Sequence, residues 1–163
     1  MTLFLGIDPG LSGALALLDT DAGKIVVRDV PVHELKRNGK AKREIDLYAL
    51  ARLMDDMAKG QGTRIVVEQV GSMPGQGVSS VFAFGKAYGI LLGVAASTFC
   101  PIEFVTPQVW KRAMGVTASK DGSRAKASML FPTYSDSWAR VKDDGRAEAV
   151  LIAAWAAQKE NGK

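Results

Sequence analysis

Four carboxylates stand at places where an acid is either costly or regularly spaced. Asp8 closes the apolar run Leu3-Phe4-Leu5-Gly6-Ile7 and precedes Pro9-Gly10, and Glu68 closes Arg64-Ile65-Val66-Val67 in the same manner. An acid ending an apolar strand has little structural reason to be there, and two in one small chain point to chemistry. Asp144 and Glu148 are four residues apart, so a helix sets them about 40° apart on one face, whereas Asp143 and Glu148 would be separated by about 140°. Helical phase therefore favours Asp144 over Asp143. Two Mg²⁺ ions need a few hard oxygen ligands, because substrate phosphate and water complete their shells. Asp8, Glu68, Asp144 and Glu148 are the candidate ligands and catalytic residues. The competing reading of Asp144 and Glu148 is a solvated pair favoured by the positive end of a helix.

Positioning these acids requires particular elements. Residues 3–8 read as a buried strand, Gly13 to Leu18 as a second after the Pro-Gly turn, and Lys24 to Val30 as a third after Asp21-Ala22-Gly23, which favours an antiparallel meander. Asp46 is a helix cap placing Leu47, Leu50, Ala51, Met54 and Met57 on one face. That helix leads back to a strand at 64–68. A Gly-rich loop, a long helix from about Val78 to Ser97 and a strand at Ile102 to Val105 follow, giving five strands. Thr106-Pro107 starts a helix and Gly115 stops it. Further helices are expected from near Ser123 to before Pro132 and from about Asp144 to Gln158. The order predicts an α/β fold, a mixed sheet with helices on its faces, in which the first and fourth strands can be neighbours.

With 163 residues, 47% of them hydrophobic, the chain fits one domain spanning 1–163. Cys100 is the only cysteine, which excludes an intramolecular disulfide or a cysteine-rich zinc site and fits the cytoplasm as the expected compartment. The apolar segment Gly89 to Ala96 is too short to span a bilayer, and no membrane is expected. The net charge is +4, with the basic residues clustered: Lys36, Arg37, Lys40, Lys42 and Arg43 in one stretch, and Lys111, Arg112, Lys120, Arg124 and Lys126 in another. Clustering makes nucleic acid the leading partner.

Gly6-Ile7-Asp8-Pro9-Gly10, Val67-Glu68-Gln69-Val70 and Asp144-Gly145-Arg146-Ala147-Glu148-Ala149, taken together, resemble RuvC-type Holliday junction resolvases of the ribonuclease H and retroviral integrase superfamily. The closing motif is nearer to the phage, prophage and organellar branch, and the resemblance spans nearly the whole chain. It implies a ribonuclease H-like five-stranded mixed sheet flanked by helices on both faces. The implied activity is that of a crossover junction endodeoxyribonuclease: a homodimer cutting four-way DNA junctions symmetrically, with two Mg²⁺ ions (or Mn²⁺) per site and 5′-phosphate products, in a bacterial cell or phage-infected host. Asp8 would bridge both metals, Glu68 would bind one, and Asp144 and Glu148 would complete the shells. Asp143 stands where relatives often carry His.

The same resemblance assigns DNA-facing residues. Lys111, Lys120, Arg124 and Lys126 correspond in character to a basic helix and loop that neutralise phosphates, with Lys120 nearest the scissile one. In the loop 71–80, Met73 would wedge against an unstacked base and Gln76 would hydrogen-bond one. By its clustered charge alone, with no family motif behind it, the 36–43 stretch would contact DNA arms outside the centre. Gly85, Gly89 and Gly93 form one stripe, either at a two-fold helix contact or against the domain's own sheet. Phe82, Phe84, Tyr88, Trp110, Trp138 and Trp155 read as packing residues and His33 as a surface residue. Alternatives within the fold are a broader branched-DNA or RNA nuclease and a non-catalytic junction-binding module. A sugar-kinase or actin-type ATP-binding fold needs a second half that 163 residues do not hold.

Overall fold

The apolar hexamer Leu3–Asp8 forms β1, and five of its six residues are buried, as expected of a strand covered on both faces. The computed structural model describes residues 2–162 except Asn38, Gly60, Gln61, Ser72, Met73, Pro74 and Gln76, and also leaves aside the side chains of Arg37 and Lys40. β1 pairs antiparallel with β2 (Ala14–Asp19), which pairs antiparallel with β3 (Lys24–Asp29). Two further strands, β4 (Val32–Arg37) and β5 (Lys40–Ile45), form a separate antiparallel pair. On its other edge β1 runs parallel to β6 (Thr63–Glu68), and β6 parallel to β7 (Ile102–Val105). The main sheet is therefore five-stranded and mixed, in the order β3-β2-β1-β6-β7. The sequence predicts this sheet but not the β4–β5 hairpin, whose polar strands carry no periodic buried face.

The helices begin and end where the local chemistry predicts. Helix α1 (Leu47–Ala58) is capped by the Asp46 carboxylate, which accepts from the Ala49 N–H at 3.0 Å. Helix α2 spans Val78–Ala96. Helix α3 (Pro107–Met114) starts on proline and ends at Gly115 with φ 63°, the left-handed conformation glycine adopts without strain. Helix α4 (Gly122–Leu130), two 3₁₀ turns (Pro132–Trp138 and Val141–Asp143) and helix α5 (Asp144–Asn161) complete the chain.

Alternation along β1 divides the core in two. Leu5 and Ile7 face a cluster with Leu50, Met54 and Leu91 of α1 and α2, while Phe4 faces Trp110, Ala149 and Ala153 on the α3 and α5 side. Every residue of α5 from Ala149 to Ala157 is buried, which suits a helix that is apolar all round. Gly6 explains how that helix comes so close. A Cβ there would sit 2.2 Å from the Ala149 carbonyl oxygen and 2.5 Å from the Ala153 nitrogen. Arg146 then locks α5 to the edge strand, donating from Nε to Asp29 Oδ1 at 2.6 Å and from Nη2 to Oδ2 at 2.5 Å.

Helix α2 is longer than the apolar segment read from the sequence, and by length and composition its 19 residues could cross a bilayer. Here Ala87, Leu91 and Ala95 pack in the core. Gly85, Gly89 and Gly93 lie elsewhere on the helix, where a Cβ at any of them would meet nothing within 4 Å. The glycine stripe is thus not packed against the domain's own sheet.

Candidate metal centre

Asp8 and Glu68 end adjacent parallel strands, with Ile7 opposite Val67 one residue earlier. Glu148 is on the second turn of α5 and reaches the same spot. Single carboxylate oxygens of Asp8, Glu68 and Glu148 all lie within 4.8 Å of one another. The convergence depends on Gly145, where a Cβ would stand 2.8 Å from Asp8 Oδ2 and 2.6 Å from the Ser12 carbonyl oxygen. Only a glycine lets the start of α5 press against the loop that follows β1.

Crowding and burial disfavour ionisation of Asp8 and Glu68. Burial, then repulsion from Glu148 and Glu68, pushes Asp8 well above the usual carboxylate range, with Lys111 opposing. Burial also raises Glu68, against the opposing effect of a hydrogen bond from Trp110. A divalent cation would relieve both the desolvation and the repulsion. The donor set is all oxygen and fits a hard cation. Neither Cys100 nor His33 belongs to the cluster.

The sign of the pH dependence follows. Because Asp8 and Glu68 hold protons more tightly in the folded than in the unfolded chain, stability falls as pH rises from the ordinary carboxylate range, about 4, through their raised values. In EDTA the melting temperature should therefore rise on acidification from neutral pH. It should fall again below about pH 4, as Asp29 and Asp143, both held low by arginines, become protonated. Mn²⁺ should flatten the neutral side of the profile. A metal-independent, monotonic profile in scanning calorimetry would contradict the assignment.

Neighbouring side chains fix the acids in place. The buried Trp110 indole N–H donates to Glu68 Oε1 at 2.8 Å. Lys111 Nζ and Ser123 Oγ both donate to Glu148 Oε1, at 2.7 and 2.9 Å. Sequence reading treats Trp110 as packing alone and overlooks Ser123; one cue is that Trp110 adjoins Lys111. Trp110→Phe keeps a ring in the core but removes the donor, so Mn²⁺ affinity should drop about 10–100-fold, as for other outer-shell partners. Calorimetric titration measures this, and unchanged affinity would reduce Trp110 to a packing residue.

The fourth predicted acid is placed differently. Asp144 lines the same cleft as Asp8 and Glu148, but its Oδ1 is in ion contact with Arg124 Nε at 2.6 Å, and it is not among the three converging acids. Asp143 points elsewhere and is buried, accepting from Arg140 Nε at 2.8 Å and Nη2 at 3.0 Å. Of the two, Asp144 is the one at the cleft, as helical phase predicts.

That cleft encloses about 1020 Å³, and Lys111, Lys120 and Ser123 are on its walls. Arg124 is largely enclosed, pairing with Asp121 and Asp144 and donating to the Ala139 carbonyl at 3.2 Å. Lys126 is half-buried near Gly115 and is not one of the cleft's lining residues. Met73 and Gln76 lie outside the described residues. Phe82, expected to pack, is 74% exposed, whereas Phe84 lines the cleft and stacks on Tyr88 with centroids 6.3 Å apart. Trp110, Trp138 and Trp155 are in the core, and His33 is exposed, as expected of a surface residue.

Comparison with known proteins agrees with this architecture. No protein-family model matches the chain. The chain is 33% identical over 90 residues to the chloroplastic Holliday junction resolvase MOC1 of Chlamydomonas reinhardtii, a match covering 52% of this chain and 10% of that protein. It thus spans about a tenth of the length of that curated relative. Among solved structures, T. thermophilus RuvC in complex with Holliday junction substrate superposes with a TM-score of 0.59 at 16% identity, covering 98% of this chain and 96% of that one. The yeast mitochondrial Holliday junction resolvase Ydc2 gives a TM-score of 0.52 at 16% identity, covering 98% and 81%. The fold is the ribonuclease H-like fold of RuvC.

Proposed function

We propose that this chain is a metal-dependent endonuclease that resolves four-way DNA junctions, acting as a homodimer. The observation that carries the reading is the convergence of Asp8, Glu68 and Glu148, from three separate elements, at a cleft walled by Lys111 and Lys120. Two Mg²⁺ ions bound there would supply a hydroxide-like nucleophile at neutral pH and neutralise charge at the scissile phosphate. Asp8, Glu68 and Glu148 would hold the metal, and Asp144, at the start of α5, would be the fourth acid of the set. Trp110, Lys111 and Ser123 orient the carboxylates. Lys120, exposed on the cleft wall, meets the phosphate backbone, with Arg124 and Lys126 adding positive charge behind it.

The junction as substrate is supported by the names of the similar proteins cited above, which are Holliday junction resolvases or RuvC. The dimer is supported by α2, whose open glycine stripe and exposed Val78 and Phe82 leave apolar surface to be covered. The test is cleavage of a synthetic four-way junction with Mg²⁺ beside a linear duplex of the same sequence. Paired, symmetric nicks with 5′-phosphate ends are expected in the junction alone. Equal cutting of the linear duplex would replace junction resolution by general nuclease activity, and binding without cutting under any divalent metal would leave a junction-binding module. Equilibrium sedimentation should give twice the chain mass.

A further inference from the structure

We infer that the β4–β5 hairpin is a second DNA-binding element, which grips the phosphate backbone of a duplex arm outside the cleavage site. The inference rests on the nuclease reading above for its substrate. The hairpin is not part of the five-stranded sheet. The chain leaves that sheet after β3 and enters α1 at its cap Asp46, whose N–H donates to the Pro31 carbonyl at 3.0 Å and closes the base of the hairpin. Of the residues between, Lys36, Arg37, Lys40, Lys42 and Arg43 are basic, and only Glu34 and Glu44 are acidic. Glu44 pairs with Lys86 of α2 at 3.0 Å, and Glu34 sits opposite Arg43 in the register. The exposed Lys36 and Lys42 remain, together with the strand positions of Arg37 and Lys40 beside the turn.

A two-stranded hairpin is marginal in water on its own. Here its base is anchored, by the buried Ile45 and by Arg43. The Arg43 guanidinium donates to the Leu11 carbonyl at 2.6 Å and to Ser12 Oγ at 3.4 Å. Leu11 and Ser12 line the catalytic cleft. The arm is thus hinged directly on the loop beside Asp8, where DNA entering the cleft must pass. Six-residue strands reach about 20 Å, the span of about six base pairs at roughly 3.4 Å each. Self-association through this hairpin is disfavoured, because two copies would oppose like charges. The exposed apolar residues Val78 and Phe82 lie instead on α2.

Lys36→Gln/Lys42→Gln in the full chain tests the assignment, since neither lysine lines the cleft. Junction binding measured in EDTA across a salt series should lose about 0.9 from its log–log slope per lost phosphate contact, hence about two for each protomer whose hairpin engages an arm. Affinity near physiological salt should fall roughly tenfold. Hydroxyl-radical footprinting should lose protection on an arm several base pairs from the nick while keeping it at the nick, and cleavage at saturating protein should be unchanged. If wild type cuts junctions and the variant matches it in slope, affinity and footprint, the hairpin inference fails and the nuclease reading stands. If wild type binds DNA through these lysines but cuts nothing, the nuclease reading fails and the hairpin remains a DNA-binding element. A variant that sediments as a monomer while wild type is a dimer overturns the inference in favour of a protein contact.

Discussion

Asp8→Asn should abolish cleavage while raising the melting temperature of the protein in EDTA. The two effects have one cause. Asp8 is the most strongly perturbed acid of the cluster, disfavoured by burial and by its neighbours Glu148 and Glu68, so a neutral isostere removes an unfavourable charge from the metal-free fold. The same change removes the proposed bridging ligand. Junction cleavage should fall by about 10³-fold or more, equivalent to about 4 kcal/mol of transition-state stabilisation at 1.36 kcal/mol per tenfold. Junction affinity should stay within about twofold, because the phosphate contacts come from lysines. Adding Mn²⁺ should raise the melting temperature of the wild type and leave the variant unchanged, since only a ligand that binds the folded state stabilises it. Near-normal cutting by Asp8→Asn would sink the metal assignment. A lower melting temperature in EDTA would instead show that the carboxylate has a structural role beyond the cluster.

Gly6→Ala should be among the most destabilising single-methyl substitutions in the chain. The added Cβ would fall 2.2 Å from a backbone oxygen and 2.5 Å from a backbone nitrogen of α5, and no side-chain rotation relieves a clash with backbone. Overpacking typically costs about 1–3 kcal/mol, and this site belongs at the upper end. For a domain of this size that lowers the melting temperature by roughly 6–12 °C. Since α5 also carries Glu148, the folded fraction should be impaired as well. A displacement of about 1 Å at a reacting group can cost about 10²-fold in rate. Circular dichroism melts and junction cleavage at low temperature measure the two effects separately. A variant with wild-type stability and activity would mean that α5 can shift freely over β1.

Much of this organisation is legible in the order of the amino acids. Asp8 and Glu68 stand out because each interrupts an apolar run, and runs of that kind become adjacent buried strands. Asp46, Thr106-Pro107 and Gly115 bracket α1 and α3 by local capping chemistry, which depends on no distant contact. Helical phase separates Asp144 from Asp143, and the structure puts the first at the cleft and the second against Arg140.

The features that escape the sequence depend on other physics. His33-Glu34-Leu35-Lys36-Arg37 and Lys40-Ala41-Lys42-Arg43-Glu44 have no apolar alternation, since both faces of that hairpin are largely in water; Asn38-Gly39 is the short turn signal that periodicity passes over. The hydrogen bond from Trp110 to Glu68 joins residues 42 positions apart, and hydrophobic patterning treats that indole as core alone. Arg124 reads as a phosphate ligand from its basic neighbourhood, yet it pairs locally with Asp121, three residues before it, and its tie to Asp144 appears only once α4 lies against α5.

The burial of α5 has a consequence for how activity is lost. A helix enclosed from Ala149 to Ala157 has no exposed flank along which to loosen by degrees, so its amide protons should exchange only in molecules that have opened globally. Glu148 is fastened to that helix rather than to a mobile loop. Heating or mild denaturant should then remove working molecules one at a time, leaving the survivors at full turnover, so that the decline in activity superimposes on the unfolding curve instead of preceding it.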